Sequence, residues 1–148
     1  MRREWRQGWM LSASYAFQRS RYASSAESLR EVPNAPEHLF AFRAAAPLVP
    51  QLFVASTRVT VEGPRWDRND SATDPTQTRT SPSVVWDLVL SGRAERFGLR
   101  YALGVYNMFD WRYAVPMSNE FVRGDRRQSL TTMVQGGRTF LASASVDF

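Results

Sequence analysis

Polar and apolar residues alternate with a period of two along most of this chain, and helical periodicity is hard to find. Such alternation turns successive side chains to opposite faces of an extended strand, so the chain is read, segment by segment, as β-structure. The pattern predicts six strands. The first has Trp5, Trp9, Leu11, Ala13, Tyr15 and Phe17 on one face and Arg6, Gly8, Ser12, Ser14 and Gln18 on the other. The second, about Pro36 to Ala46, sets Phe40 and Phe42 against Leu39 and Arg43. The third, Leu52 to Glu62, sets Phe53, Ala55, Val59 and Val61 against Ser56, Arg58, Thr60 and Glu62. In the fourth, about Ser83 to Ser91, Val84, Trp86, Leu88 and Leu90 oppose Ser83, Asp87 and Ser91. The fifth, Phe97 to Phe109, carries Phe97, Leu99, Tyr101, Leu103 and Val105 opposite Gly98, Arg100, Ala102, Gly104 and Tyr106. The last, 137–148, aligns Phe140, Ala142, Ala144, Val146 and Phe148 opposite Leu141, Ser143, Ser145 and Asp147.

The connections alternate in length. Ser20 to Ala35, Gly63 to Ser81 and Asp110 to Gly136 are long and polar, whereas "PLVPQ" and "GRAER" are short turns. All long connections therefore fall at one end of an up-and-down sheet. A soluble sandwich has no reason for that asymmetry, but outer-membrane barrels combine short periplasmic turns with long extracellular loops. The strand lengths also suit a tilted hydrocarbon span of about 9 to 11 residues. Aromatic residues gather near the strand ends, Trp5, Trp9, Phe53, Phe97 and Phe148 towards the short turns and Phe17, Trp86 and Phe140 towards the long loops. Rings with an apolar body and a polar edge suit the headgroup level. The expected fold is all-β, an antiparallel up-and-down transmembrane β-barrel segment of about six strands, incomplete as a barrel. Counting strands back from the C-terminus puts both Phe148 and Met1 at the periplasmic end. The competing readings are a barrel closed by several copies of the chain and a soluble β-sandwich or small barrel acting as a binding module.

Composition narrows the choice. With 148 residues the chain is long enough for one domain. All 19 basic residues are arginine, and they are scattered singly, so the net charge of +5 does not form the basic stripe that nucleic-acid binding requires. Cysteine is absent, which excludes disulfides, thiol nucleophiles and cysteine metal sites. The N-terminal "MRREWRQGWML" never reaches an apolar run of signal-peptide length. The longest uncharged run, Ala44 to Thr57, has 14 residues and two prolines, short of the roughly 20 apolar residues a spanning helix needs.

Two C-terminal motifs carry a family resemblance. "VYNMFDWRY", Val105 to Tyr113, resembles the Asn-Leu-Phe-Asp-x-x-Tyr signature of TonB-dependent outer-membrane receptors through Asn107, Phe109, Asp110 and Tyr113, with Met108 at the usual leucine. "GRTFLASASVDF" is similar to their closing strand through Gly137, Arg138, Phe140 and a terminal phenylalanine. "VPNAPEHLFAF" resembles the Asn-x-Pro lead-in to an earlier barrel strand. The resemblance implies a barrel of about 22 strands closed by an N-terminal plug, importing ferric siderophores, cobalamin or other scarce nutrients with energy passed through TonB. It also implies that Phe148 is the signal read by the outer-membrane assembly machinery. This chain shows barrel strands only, so it is expected to be a C-terminal fragment, 1–148, of a longer outer-membrane protein of a Gram-negative bacterium. The implied partners are outer-membrane lipid, the plug and remaining strands, the assembly machinery, and TonB through the missing N-terminal region.

Catalytic chemistry finds little footing. His38, the single histidine, follows "NAPE" with no neighbouring nucleophile and reads as an interfacial or loop residue. Asp67, Asp70 and Asp74 lack the glycine and terminal glutamate of a calcium loop. "QGG" leads into a strand, and no helix follows to make a phosphate cradle. No enzyme activity, metal or cofactor is expected. Candidate ligand contacts lie in the long loops, Arg65, Trp66, Arg68, Phe121, Arg123, Arg126 and Arg127, because arginine suits anionic ligands. Arg43, Arg58 and Arg100 are expected to face the interior and pair with acids of the plug. Asn107 and Asp110 are expected to bond local backbone where the ladder stops.

Overall fold

The computed structural model describes residues 1–5, 8–21, 32, 34–50, 52–66, 79–116 and 132–147. The chain is all-β, and no α-helix occurs among the described residues. Its strands are β1 (Arg2–Glu4), β2 (Met10–Phe17), β3 (His38–Val49), β4 (Phe53–Glu62), β5 (Ser83–Ala94), β6 (Leu99–Tyr106), β7 (Ala114–Pro116), β8 (Thr132–Val134) and β9 (Thr139–Val146). Seven of them form one antiparallel sheet in the order β1-β2-β3-β4-β5-β6-β9, and β7 pairs with β8 in a separate two-stranded hairpin. Apart from that hairpin, neighbours in sequence are neighbours in space, which is the expected up-and-down arrangement.

The seventh strand comes from the first predicted one. Residues 2–4 fold back on β2, with Arg2 opposite Ser12 and Glu4 opposite Met10, through a reversal held by Gly8 N–H to the Trp5 carbonyl at 3.0 Å and Trp5 N–H to the Trp9 carbonyl at 3.0 Å. Gly8 takes the positive φ of 83° that this reversal requires. The opposed residues have the same parity in sequence, so the period-two pattern passes through the turn unbroken and reads as one long strand. Met1 consequently does not lie at the short-turn end. It pairs part-way along β2, its ammonium donating to the Ala13 carbonyl at 2.7 Å.

Other boundaries move for local reasons. β3 runs through Pro47 with a register shift between Pro47 and Val49, a bulge where proline offers no donor, and the turn begins only at Pro50. β5 extends to Ala94, and the reversal is a single 3₁₀ turn over Glu95–Phe97. The ladder also climbs into the predicted loops, with bridges Pro36 to Arg65 and Trp66 to Arg79, and the last long connection carries the β7–β8 hairpin.

The register sorts side chains into two faces. One holds Leu11, Ala13, Tyr15 and Phe17 of β2, Phe40, Phe42, Ala44 and Ala46 of β3, and Phe53, Ala55, Val59 and Val61 of β4. It continues through Val84, Trp86, Leu88 and Leu90 of β5, Leu99, Tyr101, Leu103 and Val105 of β6, and Phe140, Ala142, Ala144 and Val146 of β9. Thr57 is its polar exception in β4, and its hydroxyl accepts the Trp86 indole N–H at 2.6 Å. The opposite face carries Ser12, Ser14, Ala41, Arg43, Ser56, Arg58, Thr60, Asp87, Ser91, Arg93, Arg100, Ala102, Ser143 and Ser145, with Leu39, Val54, Val85, Val89 and Leu141 set among them.

Among the described residues no second protein layer covers either face. No large apolar side chain is buried among them, whereas Ser83, Asp87 and Asn107 are only 4, 4 and 6 % exposed. The usual order of a water-soluble domain is thus reversed. Tyr101 lies across Gly92, its cross-strand partner, and donates to the Leu52 carbonyl, so a Cβ at Gly92 would stand 1.7 Å from that oxygen.

Candidate functional site

Two of the buried polar residues, Asp87 and Asn107, meet where the long connections leave the sheet. Arg58 and Asp87 are directly opposed on the polar face, and the guanidinium donates to Asp87 Oδ2 through Nε at 2.8 Å and Nη2 at 2.6 Å. The other carboxylate oxygen, Oδ1, accepts the Asn107 backbone N–H at 3.0 Å. A buried carboxylate is stable only when charge and hydrogen bonds replace its water, and Asp87 has both.

Asn107 follows β6 in the left-handed region, φ 52°, a conformation asparagine tolerates better than most side chains. Its Oδ1 accepts the Trp111 N–H at 2.9 Å, and its Nδ2 donates to the Trp111 carbonyl at 2.9 Å and to the Gly136 carbonyl at 3.4 Å. Asp110, φ 55°, turns the chain again and accepts the Arg138 backbone N–H at 2.8 Å. Gly137 makes that approach possible, since a Cβ there would stand 2.2 Å from Asp110 Oδ1. The two C-terminal motifs, in which Asp110 and Arg138 are 28 residues apart in sequence, therefore interlock as one clamp between the end of β6 and the start of β9. Phe109 packs on Trp86 with centroids 5.2 Å apart, Tyr113 leads into β7, and Phe140 stands on the apolar face with the Arg138 guanidinium 5.8 Å from its ring centroid.

Asn107 bonds local backbone at Trp111, as expected, whereas the Asp110 carboxylate takes the backbone N–H of Arg138, 28 residues away in sequence, rather than a local group. The centre of the clamp, Asp87, belongs to no motif and is missing from the candidates that sequence supplies. The available signal is a carboxylate in mid-strand on the polar face, and its meaning depends on the register that sets it opposite Arg58.

Two of the three arginines expected to face an interior find acids within the chain. Arg58 holds Asp87, and Arg100 reaches Asp147 Oδ2 at 2.6 Å. Arg43 alone of the three has no acidic partner among the described residues, although Arg58 stands directly across from it. Arg43, Arg58, Ser56, Asp87 and Tyr106 border an open cavity of about 300 Å³ on the polar face.

In the long loops, Arg65 is engaged in structure rather than free for a ligand. It donates to Asn34 Oδ1 at 2.8 Å and to the Asn34 carbonyl at 3.2 Å, and pairs with Glu62. Trp66 lies under Arg79, whose guanidinium carbon is 3.9 Å from the ring centroid. Arg68, Phe121, Arg123, Arg126, Arg127 and Phe148 lie outside the described residues, as do Asp67, Asp70 and Asp74. His38 accompanies Tyr15 and Phe17 at the long-loop rim, its Nδ1 2.8 Å from the Tyr15 hydroxyl. Comparison of the chain with protein-family models, with curated proteins and with solved structures found no match.

Proposed function

We propose that this chain is transmembrane wall of an outer-membrane β-barrel, the C-terminal barrel portion of a TonB-dependent receptor that imports scarce nutrients such as ferric siderophores or cobalamin. The observation that carries the reading is the reversed burial. A face of Leu, Val, Phe, Ala and Tyr continues from β2 to β9 with no described residues layered over it, while the buried side chains include an ion-paired aspartate. Hydrocarbon is the solvent that such a face suits, and β3 and β5, each of 12 residues, are long enough to span it.

The open edges support a larger barrel. Among the described residues, Ser14 to Phe17 of β2 and the outer side of β9 present unpaired backbone groups, each costing several kcal/mol in lipid. Copies of this sheet do not readily close a barrel with one another. Seven antiparallel strands leave β1 and β9 running in the same direction, so joining them edge to edge creates a parallel pair. Strands from the rest of a receptor barrel meet both needs, and the polar face then lines the interior, with the Asn107 to Arg138 clamp supporting the extracellular rim.

The test is reconstitution of the full-length protein into vesicles containing bromine-labelled acyl chains. Trp86, on the apolar face, is expected to contribute to quenched tryptophan emission, with the strands protected from protease. A protein that stays in the aqueous phase as a monomer with a cooperative melt overturns the reading in favour of a soluble β-domain.

A further inference from the structure

A second polar hollow lies at the long-loop end, between the segment leading into β5 and the β7–β8 hairpin. It is an open depression of about 340 Å³ bordered by Arg79, Thr80, Ser81, Arg112, Tyr113, Ala114 and Thr132. Two arginines and four hydroxyl-bearing residues thus border it, and no carboxylate stands among the described residues that do so. Thr80 is already engaged, its hydroxyl accepting the Arg65 N–H at 3.1 Å, which fixes the wall rather than serving a ligand. Arg79 is held in place by its stack on Trp66 and by Glu37, whose nearest oxygen is 3.8 Å away. Its charge is only loosely compensated at that distance. The Arg112 side chain has no acidic or hydrogen-bonding partner among the described residues. Its backbone is nonetheless fixed, because it follows directly on Trp111, whose N–H and carbonyl are both pinned by Asn107. One anchored and one unpaired arginine therefore border a hollow lined with hydroxyl-bearing residues, a composition that suits planar or tetrahedral oxyanions, which take charge-assisted hydrogen bonds from guanidinium groups.

We infer that this hollow binds an oxyanion, the carboxylate or phosphate group of an anionic solute, with Arg79 and Arg112 as the charged contacts and Ser81, Tyr113 and Thr132 as neutral donors. The inference deepens the receptor reading and rests on it for its meaning, since it names the chemical class of solute met at the extracellular rim. In this arrangement Arg65 and Trp66, expected as contacts, stand behind the hollow. There the Trp66 ring supports Arg79.

Calorimetric titration of the folded full-length protein with citrate and with inorganic phosphate tests the site. It is run in dodecyl maltoside if the protein partitions into membranes and in buffer if it does not. Partitioning thus reports on the preceding reading, and the titration reports on this one. Saturable binding is expected, with Arg112→Gln weakening it by about tenfold or more. Arg112→Lys should recover part of the loss, because the charge remains. Arg96→Gln, in the turn at the opposite end of the sheet, should leave it unchanged. A parallel arm adds phosphatidylglycerol to the micelles. Displacement of citrate by that lipid identifies a headgroup phosphate as a competing source of the same anion, and no displacement identifies the free solute. Absence of saturable binding by a protein with intact β-sheet circular dichroism overturns the site. So does binding that both Arg79→Gln and Arg112→Gln leave unaltered.

Discussion

The two faces of this sheet share every strand yet are held by different physics. On β6, Leu99, Tyr101, Leu103 and Val105 point one way and Arg100, Ala102, Gly104 and Tyr106 the other. The apolar side makes mostly non-directional contacts, with Trp86 to Thr57, Tyr101 to Leu52 and Tyr15 to His38 as its polar exceptions. The polar side is organised by particular partners, Arg58 with Asp87, Asp87 with Asn107, and Arg100 with Asp147. The apolar face thus answers to the solvent it meets, whereas the polar face answers to geometry within the chain.

Placing the same charge on each side of one strand gives the largest expected contrast between the faces. In a bilayer, Leu103→Arg should cost about 2–4 kcal/mol, the depth-dependent penalty for a charge on a lipid face. Its neighbour Ala102→Arg, on the polar face, should cost less than about 1 kcal/mol, since a lumen-facing charge stays in water. Urea unfolding from vesicles measures both, and equal costs would dissolve the distinction between the faces. Next comes Asp87→Ala, which removes the anion from Arg58 and the acceptor from Asn107. Because the Arg58 side chain is 49 % exposed, water offsets part of the loss, and about 2–3 kcal/mol is expected by the same measurement.

A smaller effect tests the clamp itself. Gly137→Ala should cost about 1–2 kcal/mol by pushing Asp110 off the Arg138 N–H. In an Asp110→Ala background the same substitution should cost at least about 1 kcal/mol less, because the oxygen it collides with is gone. A double-mutant cycle reads that coupling directly. Smallest of all is Arg43→Gln. It relieves like charges directly opposed across β3 and β4, so unfolding from vesicles should show a change within about 0.5 kcal/mol in the stabilising direction. A clear loss of stability would reveal an acid that Arg43 holds.

Much of the fold was legible because a strand's period is short and local. The alternation from Leu99 to Val105 and from Phe140 to Val146 needs no neighbour to be read, and those residues do share a face. The reversal between β1 and β2 was not legible, since a hairpin that pairs residues of equal parity leaves the alternation intact. Pro47 was misleading for a different reason. Proline usually stops a ladder, but a bulge lets β3 pass through it. Of the candidate site, Asn107, Asp110, Gly137 and Arg138 were visible as motifs, and the local bonding of Asn107 to Trp111 followed from its chemistry as a turn residue. The interlocking of the two motifs and the central place of Asp87 depend on cross-strand register, which no single segment contains.

Antiparallel β-structure with one apolar and one polar face is written in the order of residues alone, because side-chain alternation is a property of neighbours in an extended chain. So is the gathering of the long connections at one end, since polar, proline-bearing segments resist ladder pairing. Which charges meet is written only in the folded sheet. Arg58 and Asp87 are 29 residues apart, and Asp110 and Arg138 are 28 apart. Such pairs form through register and close approach, and a slip of a single residue in register would turn Asp87 to the apolar face and undo the clamp.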